Sequence, residues 1–322
     1  MVSCLRTAFL FGVPAAGLSL TIFACGESPR SGYESPSRGG ANDGGVDGSS
    51  SSGGFSNTDA GSVPSDGCSD DAKLVYVLSL EGDIYSFAPA DKKFTKVGPL
   101  DCKSEGIAFE PISMAVDRNA VAWVNMRGGS LIRGKDALFK FDTKTGKCTP
   151  SGIEGEYGSM GGMGFSSNGA STEDDTLFVA GAGPSGGSAL NKVDVDKKEL
   201  TFVETFPERV GIELTGTGDG RLFGFLIDHP LELAKIDKAS AAFSDKVTLT
   251  GVKVPESPMY AFSFWGGDFY FYTATSSSKS STTTVARYRP SDGSIEEAYM
   301  DQIGFHIVGA GVSTCAPTSL PK

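Results

Sequence analysis

Residues 261–272 read AFSFWGGDFYFY, two apolar and aromatic runs on either side of Gly266-Gly267. Both runs, 261–265 and 268–272, are rich in the aromatic residues that favour β-strands. Their short length and the glycines between them are typical of strands rather than of a helix. The segment therefore predicts two consecutive strands, and the same pair recurs along the chain.

The first strand of this pair has five copies at a regular distance. Each copy carries a large apolar residue, and aligning these residues gives spacings of 49, 51, 48 and 46 residues. The aligned residues are Met114, Met163, Leu214, Phe262 and Val308. The residue after each of them is small: Ala115, Gly164, Thr215, Ser263 and Gly309. Repeats of this length are typical of β-propellers, and small residues are what an innermost strand needs where several blades crowd one narrow axis.

A further strand type completes the repeat. Its copies alternate apolar and polar residues and run into turns rich in Asp, Ser and Gly. They lie at residues 84–87, 138–142, 190–194, 233–237 and 285–288. The innermost strand near Val308 has no strand after it, and the first unit, from Leu74, has no innermost strand before it. These two halves complete one blade, which leaves no long exposed sheet edge.

We therefore predict an all-β fold over residues 68–322. It is a five-bladed β-propeller with four-stranded antiparallel blades, and its ring is closed by the C-terminal strand. Six blades are the alternative, because residues 154–161 could hold further structure.

Residues 1–25 have the features of a targeting segment. Arg6 precedes an apolar run over residues 7–23, which is short for a spanning helix and typical of an export signal. The run ends Ile22-Phe23-Ala24-Cys25, which resembles a bacterial lipobox except that Phe23 replaces the usual small residue. The resemblance implies cleavage before Cys25 and lipidation of its thiol. A plain secretory signal with an incidental cysteine is the alternative.

Composition divides the rest of the chain. Residues 26–67 contain 11 glycines and 11 serines, a composition that cannot build a core and predicts a disordered tether. The whole chain has 28 Lys and Arg against 39 Asp and Glu, a net charge of −11, without a run of basic residues. This balance excludes sequence-independent nucleic-acid binding. We expect a monomer in the cell envelope, anchored to the outer membrane through Cys25, on its periplasmic or cell-surface side, without a cofactor.

Four cysteines lie in the predicted propeller: Cys68, Cys102, Cys148 and Cys315. Export places them in an oxidising compartment, and three pairings are possible. Cys68 precedes the second strand of the shared blade and Cys315 follows its innermost strand, so that pairing them would lock the ring at its seam. That leaves Cys102 with Cys148, whose strand positions bring them together less obviously. A metal site is the weaker alternative, since no Cys-x-x-Cys pair exists.

Three segments carry a resemblance to known proteins. Residues 211–225, 262–273 and 308–317 resemble lipoproteins encoded by myxobacteria and related bacteria. The resemblance extends over most of residues 72–317. It implies a secreted β-propeller, but this family has no assigned activity and supplies no catalytic residue.

The candidate catalytic residues are few. Glycoside hydrolysis needs two carboxylates across the scissile bond, and Glu213 is the clear acid on an innermost strand, while Glu110 precedes another. Asp117 lies at the far end of its strand. Neither His229 nor His306 lies beside a Gly-x-Ser-x-Gly elbow in the sequence. A glycoside hydrolase or lyase is therefore the alternative hypothesis, and we expect no metal site.

The loops that lead into the innermost strands favour a binding module. They should gather at one face of the ring, where aromatic side chains could stack on a sugar or hold a peptide and charged side chains could orient it. The candidate ligand-binding residues are Tyr157, Arg209, Glu213, Tyr260 and His306. Trp123, Phe165, Phe223 and Trp265 fit packing between blades instead. We thus expect a binding or scaffold module for a protein or carbohydrate.

Overall fold

Short runs of alternating side chains form the strands of this protein, whose structure is a computed structural model. It describes residues 68–102, 109–129, 134–169, 174–208, 210–228, 230–253, 259–278 and 280–321. Within these ranges the chain forms twenty β-strands, all paired antiparallel, and one 3₁₀ helix, Asp70–Lys73. No helix in the same ranges is long and apolar enough to cross a membrane.

The strands have these bounds in chain order. They are β1 (Val75–Ser79), β2 (Asp83–Ala88), β3 (Lys93–Pro99), β4 (Phe109–Val116), β5 (Val121–Gly128), β6 (Lys135–Asp142), β7 (Cys148–Glu156), β8 (Met163–Ser167), β9 (Asp175–Ala182), β10 (Ser188–Asp194), β11 (Glu199–Thr205), β12 (Ile212–Gly216), β13 (Leu222–Leu226), β14 (Glu232–Ile236), β15 (Phe243–Thr248), β16 (Tyr260–Trp265), β17 (Asp268–Thr273), β18 (Thr284–Arg289), β19 (Ser294–Met300) and β20 (Ile307–Val312).

Five four-stranded sheets form the blades. Four of them use consecutive strands, β4–β7, β8–β11, β12–β15 and β16–β19, and the fifth has the order β20-β1-β2-β3. In that fifth blade Val75 lies opposite Val312, and Val77 lies opposite Ala310. Residues 154–161 contain the end of β7 and a turn before β8 rather than another blade. The five-bladed prediction is confirmed, and its closure by the C-terminal strand with it.

The five innermost strands are β4, β8, β12, β16 and β20, and the small residues predicted for them allow their backbones to approach closely. A Cβ added at Gly164 would lie 3.0 Å from the Cα of Thr215, on the neighbouring strand β12. One added at Gly309 would lie 3.1 Å from the backbone nitrogen of Met114. Larger side chains at these positions would push the blades apart, because the obstacle is backbone.

Apolar side chains between the sheets form the core. The four aromatic residues predicted to pack between blades, Trp123, Phe165, Phe223 and Trp265, are all buried. The rings of Trp123 and Phe165, on adjacent blades, meet edge to face with centroids 6.1 Å apart. The indole of Trp265 also donates a hydrogen bond to the carbonyl of Lys73, at 2.8 Å.

Two disulfides join parts of the ring. Cys68 and Cys315 are 247 residues apart in sequence, with Cα atoms 5.8 Å apart, and their bond lies beside the β20–β1 seam. Cys102 and Cys148 have Cα atoms 5.0 Å apart. Cys102 follows β3 in the connection to the next blade, where Cys148 begins β7. Both pairs that the sequence favoured are therefore present in the structure.

Candidate functional site

A cavity of about 610 Å³ opens where the innermost strands begin, and we call it the channel-mouth cavity. The starts of β4, β12 and β16, the loop before β8 and the ends of β5 and β9 contribute to its wall. Its polar side chains are Glu110, Arg127, Ser188, Glu213, Tyr260 and Ser277. The loops before the innermost strands thus meet at one face, as their order along the repeats predicts.

Glu213 lies at the buried end of this cavity. It is the second residue of β12 and is only 4% exposed, and its Oε2 accepts a 2.9 Å hydrogen bond from the hydroxyl of Ser113 on β4. β4 and β12 belong to blades that are not neighbours, because β8 lies between them. A Cβ at Gly162, just before β8, would lie 2.5 Å from the Cα of Glu213. The hydrogen bond therefore depends on a glycine in the intervening blade.

Burial raises the pKa values of two groups that line the cavity, Glu213 and Tyr260. It raises the pKa of Glu213 to about 8, although the hydrogen bond from Ser113 opposes the change. Burial also raises the pKa of the Tyr260 hydroxyl. Glu213 and Asp228 raise this pKa further, and Arg127 lowers it. At neutral pH both Glu213 and Tyr260 are consequently protonated, and each can donate a hydrogen bond.

Arg127 lines the cavity on its other side, at the end of β5. Its Nε and Nη2 donate to the two carboxylate oxygens of Asp136, at 2.6 and 3.0 Å, and Nη2 also donates to the carbonyl of Met160 at 2.7 Å. Asp136 is fully buried. It accepts two more hydrogen bonds, from the backbone nitrogens of Gly158 and Met160. One carboxylate thus holds both the guanidinium and the loop before β8.

The predicted ligand-binding residues occupy different positions. Glu213 and Tyr260 both line the channel-mouth cavity, as does the catalytic candidate Glu110. Tyr157 does not line it, and its ring instead lies 4.9 Å from the guanidinium of Arg127. Arg209 and His229 lie outside the described residues, as does the predicted lipidation site Cys25.

His306 is buried beside the cavity rather than in its wall. Its Nδ1 lies 2.6 Å from a carboxylate oxygen of Glu81, and its Nε2 lies 3.2 Å from the carbonyl oxygen of Ser278. Glu81 follows Leu80, and Ser278 follows Ser277, and both of these neighbours line the cavity. His306 therefore links the loop that contains Glu81 to the loop that contains Ser278 at the edge of the cavity.

Three residues of the site escaped the sequence analysis. Arg127 lies near the end of β5, which extends to Gly128 and brings this residue to the cavity. Continued alternation through Asn125, Met126 and Arg127 was the available signal. Asp136 had no signal, because its four hydrogen bonds come from three residues in two other segments. Ser113 occupies the position in its repeat that corresponds to Glu213, so that the alignment of repeats could have paired them.

Two acidic side chains in the cavity wall bear on acid catalysis. A raised pKa suits Glu213 to act as a proton donor, and Glu110 is a second acidic side chain in the wall. Burial rather than a neighbouring carboxylate raises the pKa of Glu213. Among the residues placed by the structure, no group of three or more His, Cys, Asp or Glu side chains could hold a metal ion.

Comparisons with known proteins find similarity in fold alone. No family model and no curated protein matches the chain. TolB from Acinetobacter baumannii shares 13% identity at a TM-score of 0.40, over 69% of this chain and 51% of TolB, so the chain spans about half of that protein. A Bacteroides caccae protein of unknown function shares 9% identity at a TM-score of 0.39, over 73% of this chain and 84% of that protein. The Malassezia sympodialis allergen Mala s 1 shares 13% identity at a TM-score of 0.38, over 74% of each chain.

Proposed function

We propose that this protein is an extracytoplasmic binding module, lipid-anchored at Cys25, that holds a carbohydrate or a peptide segment in the channel-mouth cavity. The observation that carries the proposal is the cavity of about 610 Å³, which gathers Glu213, Tyr260 and Arg127 at one face of the ring. Ligand sites in proteins are concave, have volumes of roughly 300–1,000 Å³ and place a few polar groups in an apolar wall. The channel-mouth cavity has each of these features.

Two observations support the proposed location. Two disulfides are typical of proteins in oxidising compartments outside the cytoplasm. The lipobox-like sequence that ends at Cys25 would supply an anchor. The predicted tether, residues 26–67, lies outside the described residues.

Ligand binding is tested by calorimetry on the full-length protein with oligosaccharides and short peptides. Tyr260→Ala should abolish binding, because it removes both a hydroxyl and a ring from the wall. Tyr288→Ala is the matched control. It also removes a tyrosine, but Tyr288 packs between β-strands beside Phe269 and does not line the cavity. If no ligand binds, or if Tyr260→Ala binds as tightly as the unaltered protein, the proposed site is wrong.

The anchor is tested separately by cell fractionation. Cys25→Ser removes the thiol that would be lipidated, so this variant should move from the membrane fraction to the soluble fraction. Cys4→Ser is the control, because Cys4 lies before the apolar run. Retention of Cys25→Ser in the membrane would contradict lipidation, and the plain secretory signal would then be the better interpretation.

Glycoside hydrolysis is the second candidate function, and one observation favours it. Glu213, whose pKa is about 8, and Glu110 both line the cavity, and a glycosidase needs one carboxylic acid together with one carboxylate. The test is release of reducing sugar from a panel of polysaccharides. Turnover that disappears in both Glu213→Gln and Glu110→Gln would establish the enzyme, whereas binding without turnover supports the module.

A further inference from the structure

The channel-mouth cavity has no uncompensated positive charge among its described lining residues. Arg127 is the single cation there, and Asp136 neutralises it through two hydrogen bonds. Glu110 lies directly opposite Arg127 in the register of β4 and β5, so that the side chains share one face of the sheet. An anionic ligand would therefore meet at least as much negative charge as positive charge in this wall.

The hydrogen-bonding groups at the buried end are uncharged at neutral pH. The carboxyl of Glu213 uses Oε2 to accept from Ser113, and Oε1 has no hydrogen-bond partner among the described residues. The hydroxyl of Tyr260 likewise has none there, and Tyr260 is partly exposed to the cavity. Each group can donate one hydrogen bond and accept another, which is the pattern that a pair of ligand hydroxyls satisfies.

Apolar surface covers the wall between these polar groups. Pro111, Ile112, Val210, Met259 and Val308 line the cavity together with several glycines. A ligand that fills it therefore needs an apolar face as well as hydroxyl groups. Sugar rings combine the two, because their ring C–H groups form a face while hydroxyls project from the edge.

We propose that the channel-mouth cavity binds a neutral pyranose, free or at the end of a glycan, with its hydroxyls on Glu213 and Tyr260 and its C–H face on the apolar wall. This inference rests on the proposed function and narrows its ligand. Sugars that carry a carboxylate are excluded as preferred ligands by the charge of the wall, and peptides are the competing class that the experiment compares.

The first experiment is calorimetry on the full-length protein with three classes of probe. The probes are neutral sugars (methyl hexopyranosides and neutral trisaccharides such as maltotriose), an acidic trisaccharide (trigalacturonate) and a tripeptide. The neutral sugars should bind tightest, and comparing the monosaccharides with the trisaccharides separates a free sugar from a glycan end. Tyr260→Phe keeps the ring and removes one hydroxyl, so it should weaken neutral-sugar binding at least about fivefold. Tyr288→Phe should leave that binding unchanged.

The second experiment repeats the neutral-sugar titration at a pH well below and a pH well above 8. Glu213 ionises near pH 8, losing its donated hydrogen bond and placing a charge in the apolar wall, so affinity should fall at least about fivefold at the higher pH. Tyr260 and Arg127, which also face the cavity, have raised pKa values and keep their protons. Glu213→Gln cannot ionise, and it should abolish the pH dependence.

The possible outcomes distinguish the neutral-sugar inference from the proposed binding function. Tighter binding of trigalacturonate or of the tripeptide, lost on substitution of Tyr260, would overturn the neutral-sugar inference and leave the binding module intact. If the affinity for neutral sugars changes neither in Tyr260→Phe nor with pH, the assignment of the binding site to this cavity is wrong. Failure of all three classes to bind would overturn the inference and the proposed function together.

Discussion

Glu213 is an acid that the fold keeps protonated, which links its titration to stability. Its pKa is about 8 in the folded protein, against an ordinary value of 4.5. Between these two values the folded state holds a proton that the unfolded chain has released. The free energy of unfolding therefore has a contribution from Glu213 that is complete below pH 4.5 and is lost as pH rises through 8.

We predict that Glu213→Gln removes this contribution. The amide has the same shape and no charge, so the variant should gain stability relative to the unaltered protein as pH rises from 4.5 to 8, by roughly 1 kcal/mol per pH unit. Urea denaturation at a series of pH values measures the difference. A constant difference between the two proteins across this range would show that Glu213 is ionised in the folded state.

Asp136 is the residue on which the shape of the cavity wall depends. It is fully buried and accepts from Arg127 and from the backbone of Gly158 and Met160. In Asp136→Asn one acceptor oxygen becomes a donor nitrogen, which cannot accept a hydrogen bond. We predict a loss of about 1–3 kcal/mol, because the partly buried guanidinium of Arg127 loses its counter-charge and an acceptor, together with weaker ligand binding.

Thermal unfolding and calorimetry on the same variant test that prediction. Asp194→Asn is the control, because Asp194 pairs with Lys197 at the surface, and its melting temperature should not change. If Asp136→Asn melts as the control does, the ion pair does not organise the wall.

The innermost strands approach one another closely where their residues are small. Gly164 on β8 faces the backbone of Thr215 on β12, with 3.0 Å to the position of an added Cβ, whereas Gly98 on β3 has nothing within 4 Å. The same substitution at these two positions should have opposite effects. Gly164→Ala should destabilise the protein by about 1–3 kcal/mol through overpacking. Gly98→Ala should be neutral or slightly stabilising.

Chemical denaturation of the two alanine variants measures this contrast. Equal stabilities would mean that the inner strands can move apart without cost, and that the small residues are not required by the narrow axis.

The same elements show why the fold was predictable and the site only in part. Spacing and alternation identify the five innermost strands, because every blade repeats the same local requirement for an apolar residue beside a small one. The hydrogen bond from Ser113 to Glu213 and the binding of Arg127 by Asp136 occur once each. Such pairs join residues from different segments and are not repeated in every blade. They therefore produce no periodic pattern in the sequence. Glu213 and Tyr260 were nevertheless predicted, since both lie at the start of an innermost strand.

The two disulfides restrict the conformational freedom of the unfolded chain to different extents. Cys68 and Cys315 are 247 residues apart, and Cys102 and Cys148 are 46 apart. In the chain-entropy model these loops correspond to about 5 and about 4 kcal/mol. Cys68→Ser with Cys315→Ser should therefore cost more stability than Cys102→Ser with Cys148→Ser. Urea midpoints of the two double variants provide the comparison, and a larger loss from the shorter loop would contradict the entropic account.

The pairing of β20 with β1 also determines when the protein can finish folding. β1 is among the first strands to be synthesised, but its neighbour β20 begins at Ile307. Until then a nascent chain can complete the intervening blades, which use local contacts, while the edge of β1 waits for a partner more than 200 residues away. Contacts of such long range form slowly. We therefore expect ring closure to be the last and slowest step of folding, and a chain stalled before β20 to expose an open strand edge to its neighbours.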